Sequence, residues 1–135
     1  MSAGYSGTPL AKKLGIKSAF RIFVDNAPDN YAELVAPLPE NVHFLDAIEN
    51  DLDMIHLFTD QAKVLAAKLK RYPKKLKPNG IFWVSWPKKA SKRPTDITED
   101  TIRDLALPLG LVDVKVCAID DVWSGLKLVI RVENR

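Results

Sequence analysis

The sequence predicts an α/β domain: a small, largely parallel sheet with helices on both faces and an antiparallel hairpin near its C-terminal end. Three observations carry this. Aromatic and β-branched runs alternate with segments whose apolar residues recur every three or four positions, the pattern of βαβ units. Leu52-Asp53-Met54-Ile55-His56-Leu57-Phe58 is nearly continuous in apolar residues, as a strand buried on both faces reads. The last two strand-like runs, 111–120 and 126–132, stand too close together for a parallel crossover and suit a hairpin.

Element by element, Thr8 to Gly15 reads as a short helix, with Thr8 as N-cap, Pro9 at the first helical position and Gly15 as the stop. Phe20 to Val24 is a strand by its aromatic and β-branched content. Asn26-Ala27-Pro28-Asp29 breaks it, and Asp29 is expected to cap a helix over Tyr31 to Ala36 that Pro37 and Pro39 end. Val42 to Leu45 reads as a short strand before the strong one at 52–58. Thr59 or Asp60 then caps a helix whose stripe is Ala62, Leu65, Ala66, Leu69 and Tyr72. Pro73, Pro78 and Gly80 punctuate its end, and Ile81 to Trp86 is a strand stopped by Pro87. Residues 87–97 form a basic loop. Thr98 opens a helix over 102–107, with Glu99 and Asp100 suited to its first turn, while Pro108 distorts its last turn and Gly110 ends it. Asp121 to Gly125 is expected to be the hairpin turn.

With 135 residues, 47% hydrophobic and 27% charged, the chain is sized and composed for one folded domain over 1–135 rather than for disorder. No apolar stretch approaches the roughly 18 residues needed to span a bilayer, so no membrane partner is expected. The first residues lack the pattern of a secretory signal, and a single cysteine, Cys117, allows no internal disulfide; a cytoplasmic location is the expectation. Charge is segregated: 1–24 hold no acid, 25–60 no Lys or Arg, and 61–95 no acid. Such blocks either make a dipolar surface that steers ligands and supports self-association, or are the solvated faces of helices.

The order of elements, with Leu52–Phe58, Leu76-Lys77-Pro78-Asn79-Gly80-Ile81-Phe82-Trp83-Val84 and Leu109-Gly110-Leu111-Val112-Asp113-Val114, resembles the class I S-adenosylmethionine-dependent methyltransferase fold, which is Rossmann-like. These three segments look like its fourth strand, its "LKPGG" turn with fifth strand, and the entry to its last hairpin. Over nearly the whole chain, Tyr5-Ser6-Gly7-Thr8-Pro9-Leu10, Trp83-Val84-Ser85-Trp86-Pro87-Lys88-Lys89 and Trp123-Ser124-Gly125-Leu126-Lys127 resemble an uncharacterised bacterial family, a domain of unknown function. That second resemblance implies no activity. The chain departs from working methyltransferases after its first strand, where Asp25-Asn26-Ala27-Pro28 stands in place of a glycine-rich turn, and no glycine occurs between Gly15 and Gly80. A degenerate or altered cofactor site is implied, with no cofactor as the leading expectation and S-adenosylmethionine as the alternative.

Ligands of open α/β sheets bind beyond the carboxyl ends of the strands, where strand order reverses. The candidate cofactor- or ligand-binding residues there are Asp25, Asn26, Thr59, Ser85 and Trp86. Asp46 follows the second strand at an interval where a ribose-binding acid often sits. Lys88, Lys89, Lys92 and Arg93 form a candidate anion-binding loop beside Trp83 and Trp86. The acidic blocks around it argue against a dedicated nucleic-acid surface. His43 and His56 have no ligand-spaced companions, so no metal site is expected, and His56, on a strand face with Leu52, Met54 and Phe58, reads as a hydrogen-bonded core histidine. Three functions follow: a non-catalytic ligand-binding or regulatory module, a divergent S-adenosylmethionine-dependent enzyme, or anion or nucleic-acid binding through 87–94. The residues do not decide whether the chain is an enzyme.

Overall fold

The computed structural model describes residues 8–135. Along the chain run α1 (Leu10–Leu14), β1 (Arg21–Asp25), α2 (Tyr31–Val35), β2 (His43–Leu45), β3 (Leu52–Phe58), α3 (Ala62–Arg71), β4 (Leu76–Pro87), α4 (Glu99–Ala106), β5 (Leu111–Ala118) and β6 (Trp123–Ile130). The six strands form one sheet in the order β2-β1-β3-β4-β6-β5. The first four are parallel, and β6 and β5 complete the edge in antiparallel pairing. The expected α/β sheet with its C-terminal hairpin is therefore the observed one.

Helices cover both faces. Leu65 and Leu69 of α3, Tyr72 just past its end, and Ile102 and Ala106 of α4 pack onto Ile55, Leu57, Phe82 and Val84. Ala11 and Leu14 of α1 and Tyr31 and Val35 of α2 pack onto Ile22, Met54, Phe58 and Trp83. The central strands β3 and β4 thus bury both their faces, which is why their sequences barely alternate. No helix among the described residues is long and apolar enough to cross a membrane.

Several local expectations need correcting. Pro9, not Thr8, takes the N-cap position of α1, which has no side-chain cap, and Asn30 rather than Asp29 precedes α2. Neither Thr59 nor Asp60 is the N-cap of α3. The Ala62 N–H donates to Asp96 Oδ1 at 2.7 Å, so a carboxylate from the 93–97 loop caps this helix from a distance. Pro78 and Gly80 lie within β4, whose span begins at Leu76. Leu52 pairs Leu76 and Met54 pairs Ile81, so 77–80 bulge out of a ladder that resumes beyond them. Leu52 consequently packs in the α3/α4 layer, away from Met54 and Phe58.

The C-terminal hairpin turn comes earlier than expected. Asp120 Oδ1 accepts the N–H groups of Val122 and Trp123, both at 2.8 Å, an Asx turn that frees Trp123-Ser124-Gly125 to begin β6. Gly125 answers a packing need there. A Cβ on it would lie 2.9 Å from Ile119 Cδ1 and 3.1 Å from Trp83 Cε3.

Candidate functional site

The strand order places β1 between β2 and β3, so the order of the parallel strands reverses at the β1/β3 boundary. Register brings the carboxyl ends together: Asp25 pairs Leu57, and Phe58 pairs Ser85. Antiparallel β6 begins where parallel β4 ends, because Pro87 pairs Trp123. Trp123 therefore joins the edge that the parallel strands define. Sequence reasoning assigned that indole to turn chemistry; counting register back along the hairpin would have brought it here.

A cleft of about 320 Å3 opens at this boundary, lined by Asn26, Ala27, Pro28, Asp29, Asp60, Arg93 and Trp123. The Arg93 guanidinium stands over the Trp123 ring, 5.0 Å from its centroid. Trp123 is itself braced edge-on by Phe58 at 5.1 Å. Asp29, Asp60 and Arg93 form no ion pairs among the described residues. The cleft thus offers a flat apolar wall, one cation above it and two carboxylates.

The β1–α2 turn shapes one wall of this cleft. Asn26 adopts φ 61, the left-handed conformation usually reserved for glycine, which asparagine tolerates better than most residues. Its side-chain amide donates to the Phe58 carbonyl at 3.0 Å, tying the end of β1 to the end of β3. The turn reaches a positive φ without glycine, but the Asn26 side chain and Pro28 occupy its surface.

Asp25 points away from the cleft into the α3 layer. Its Oδ2 accepts from Lys68 Nζ at 2.5 Å and from the Tyr72 hydroxyl at 2.6 Å. The Lys68 ammonium also lies 5.7 Å from the Tyr72 ring centroid. Burial, then the Asp25 hydrogen bond and charge, push the Tyr72 hydroxyl up to about 12. Asp25→Asn is expected to bring that value down part of the way, leaving the burial contribution in place. An ultraviolet titration of tyrosinate against pH checks this, and an unmoved high-pH tyrosine would refute the pairing.

The other candidates fall in different places. Ser85 is fully buried, and its Oγ is 2.7 Å from His56 Nε2. The Tyr31 hydroxyl lies 2.9 Å from His56 Nδ1, completing a three-residue polar chain inside the α1/α2 layer. His56 also stacks on Phe58 at 4.3 Å, as a hydrogen-bonded core histidine should. Thr59 is buried and its Oγ1 accepts the Gln61 N–H at 3.2 Å. Asp46 is exposed just beyond β2 and does not line the 320 Å3 cleft.

Trp86 lines a second cleft of about 530 Å3, beside Lys89, Ile97, Glu99, Asp100 and Arg103. Arg103 is already committed there, to Glu99 and Asp113 at 2.9 Å and Asp100 at 3.3 Å. The four loop cations consequently do not converge. Lys89 faces the second cleft and Arg93 the first, while Lys92, in the left-handed conformation, ends the single 3-10 turn between them. The loop itself is held: the Lys88 N–H donates to the Val122 carbonyl at 2.7 Å, and the Thr95 hydroxyl donates to the Asp60 carbonyl at 3.0 Å. Among the described residues no group of three or more His, Cys, Asp or Glu is placed to hold a metal ion.

A mostly parallel six-stranded sheet of this order, closed by an antiparallel pair, is a Rossmann-like, methyltransferase-like fold. Solved structures agree. A SAM-dependent methyltransferase from Aquifex aeolicus superposes with a TM-score of 0.64 at 13% identity, over 90% of this chain and 88% of its own. A SAM-dependent O-methyltransferase from Thermotoga maritima gives 0.59 at 11% identity, over 90% and 63%. The ribosomal protein L11 methylase from Lactobacillus delbrueckii subsp. bulgaricus gives 0.58 at 9% identity, over 90% and 74%. At these identities the likeness is one of fold. No family model matches the chain, and no curated protein matches it.

The residues at the β1 end fit S-adenosylmethionine poorly. The Asp25 carboxylate is taken by Lys68 and Tyr72, the Asn26 amide by Phe58, and Pro28 fills the surface where a backbone would approach the cofactor. Asp46, beyond β2, is exposed.

Proposed function

We propose that the chain is a ligand-binding module on a methyltransferase-like fold, taking a small planar molecule with both an anionic and a cationic group at the β1/β3 boundary. The observation that carries this is the Arg93 guanidinium over Trp123, facing Asp29 and Asp60 across one cleft. An anionic group would pair with Arg93, a ring would lie along Trp123, and an amine would meet the carboxylates. Asn26 and Pro28 bound the site rather than admit a closely approaching cofactor. The free thiol of Cys117 supports a reducing, cytoplasmic setting. The segments ending in Leu10, Lys89 and Lys127 support membership of the uncharacterised bacterial family they resemble; Tyr5-Ser6-Gly7 of the first lie outside the described residues.

A second reading, a divergent S-adenosylmethionine-dependent enzyme, is favoured by the exposed Asp46 beyond β2 and by the strand order. One titration series separates the two. The Trp123 indole N–H resonance is followed while S-adenosylmethionine, S-adenosylhomocysteine, adenosine monophosphate and free tryptophan are added. The binding-module reading expects at least one probe to move it, with affinity falling about tenfold or more in Arg93→Ala and holding in Asp46→Ala. Methyl transfer that depends on Asp46 would replace it with the second reading. No shift with any probe would remove the cleft as a binding site.

A further inference from the structure

Away from both clefts, on the hairpin face next to α1, two lysines stand opposed across the strands and a third acts on one of them, with no ion-paired carboxylate among the described residues. Lys115 on β5 and Lys127 on β6 are cross-strand partners, so their Cβ atoms lie within about 5.5 Å of each other. The Lys127 amine reaches back over the end of α1, 4.0 Å from where a Cβ on Gly15 would stand. Lys17 follows two residues later and acts on the same amine. Burial, then Lys115 and Lys17, hold the Lys127 ammonium below its ordinary value. Like charges directly opposed on a sheet destabilise it, and burying one of them adds to the cost. Among the described residues no acid forms an ion pair with Lys17, Lys115 or Lys127, and residues 1–24 contain no acid at all.

We propose that Lys17, Lys115 and Lys127 form an anion site on the α1-side face of the β5–β6 hairpin, made for a phosphate or polyphosphate group. Two directly opposed ammoniums, one of them half-buried beside Gly15 and under the influence of Lys17, suit a compact multivalent anion better than a single carboxylate. The site is separate from the 87–94 loop: Lys127 lies four residues along β6 from Trp123, or roughly 13 Å at strand rise. It does not depend on the cleft reading.

Calorimetry at low ionic strength with inorganic phosphate, tripolyphosphate and a short single-stranded oligonucleotide tests it, using wild type, Lys115→Gln/Lys127→Met and Lys89→Gln/Lys92→Gln. The expected result is tripolyphosphate binding that weakens about tenfold or more in the hairpin variant and is unchanged in the loop variant. Stronger oligonucleotide binding with the same lysine dependence would mark a polynucleotide backbone as the phosphate source; equal or weaker binding would mark a small polyphosphate. Without ligand, the hairpin variant should melt no lower than wild type, because repulsion is relieved. Lys17→Gln, at an exposed position, repeats the binding test without touching the sheet. Phosphate binding indifferent to all three lysines, or lost only in the loop variant, or absent altogether, would overturn the proposal.

Discussion

Replacing Trp83 with alanine is expected to remove about 3–5 kcal/mol of stability, a large part of the roughly 5–15 kcal/mol a domain of this size holds. Trp83 is fully buried at the centre of β4, and its neighbours come from three elements. Its indole N–H donates to the Leu14 carbonyl at 2.9 Å and so fastens α1 to the sheet. Its ring is backed by Gly125, whose missing side chain makes room for it. His56 lies 6.4 Å from it by ring centroid. Trp83→Ala would open a cavity that rigid β3, β4 and β6 cannot collapse to fill, and would leave the Leu14 carbonyl without its donor. Trp83→Phe keeps most of the volume but still loses the hydrogen bond, so its cost should be smaller, about 1–3 kcal/mol. Urea unfolding measures both. Hydrogen exchange should show the amides of 10–16 opening before the rest in Trp83→Phe, and uniform protection there would show that the indole does not fasten α1.

The same residue shows how the sequence was legible. Ile81 to Trp86 announces a strand by composition, though its burial on both faces shows only in the structure. Leu52 to Phe58 announces both its strand and its burial on both faces, with its boundaries intact. What failed was set by distant side chains. The cap of α3 comes from Asp96, thirty-four residues away, and no local pattern could name it. Gly125 looked like turn chemistry because glycine usually is; here it serves the close approach of Trp83 and Ile119, and the turn belongs to the Asp120 carboxylate.

The candidate site divides along the same line. The strand-end edge was legible from topology alone, since strands that alternate with helices must share one carboxyl end. Which side chains face solvent there was not. Asp25 belongs to a strand whose last residue turns into the α3 layer, where Lys68 and Tyr72 wait for it. Ser85 sits one register step from the edge and faces inward to His56. Trp123 enters by antiparallel pairing from the far end of the sequence, with Arg93 brought over it by a loop that is clamped to Asp60 and Val122.

The buried Tyr31–His56–Ser85 chain makes acid the condition in which this fold weakens first. Burial drives the His56 imidazole from its ordinary value of 6.5 down to about 3, so the folded protein keeps it neutral. Neutral imidazole offers one donor and one acceptor, which is what the Tyr31 hydroxyl and the Ser85 hydroxyl need on its two sides. Around it stand Phe58 and Trp83, which give a proton no counter-charge. Because the folded value is depressed, the unfolded chain binds this proton first as pH falls through 6.5, while the folded chain does not until about 3. Stability from this group is complete above the unfolded value and falls by about 1.4 kcal/mol per pH unit below it. Between about pH 6 and about pH 4 the loss should approach 2–3 kcal/mol. His56→Gln should be less stable at neutral pH, since an amide fills the site imperfectly, yet lose less of its remaining stability on acidification. Urea unfolding across that range reads the difference in slope. In wild type, the His56 ring resonances should stay in place down to about pH 4.5, far below an ordinary histidine. A ring that titrates near its ordinary value would show that water reaches the pocket, and the polar chain would then have to be regarded as open to the cleft beside Phe58.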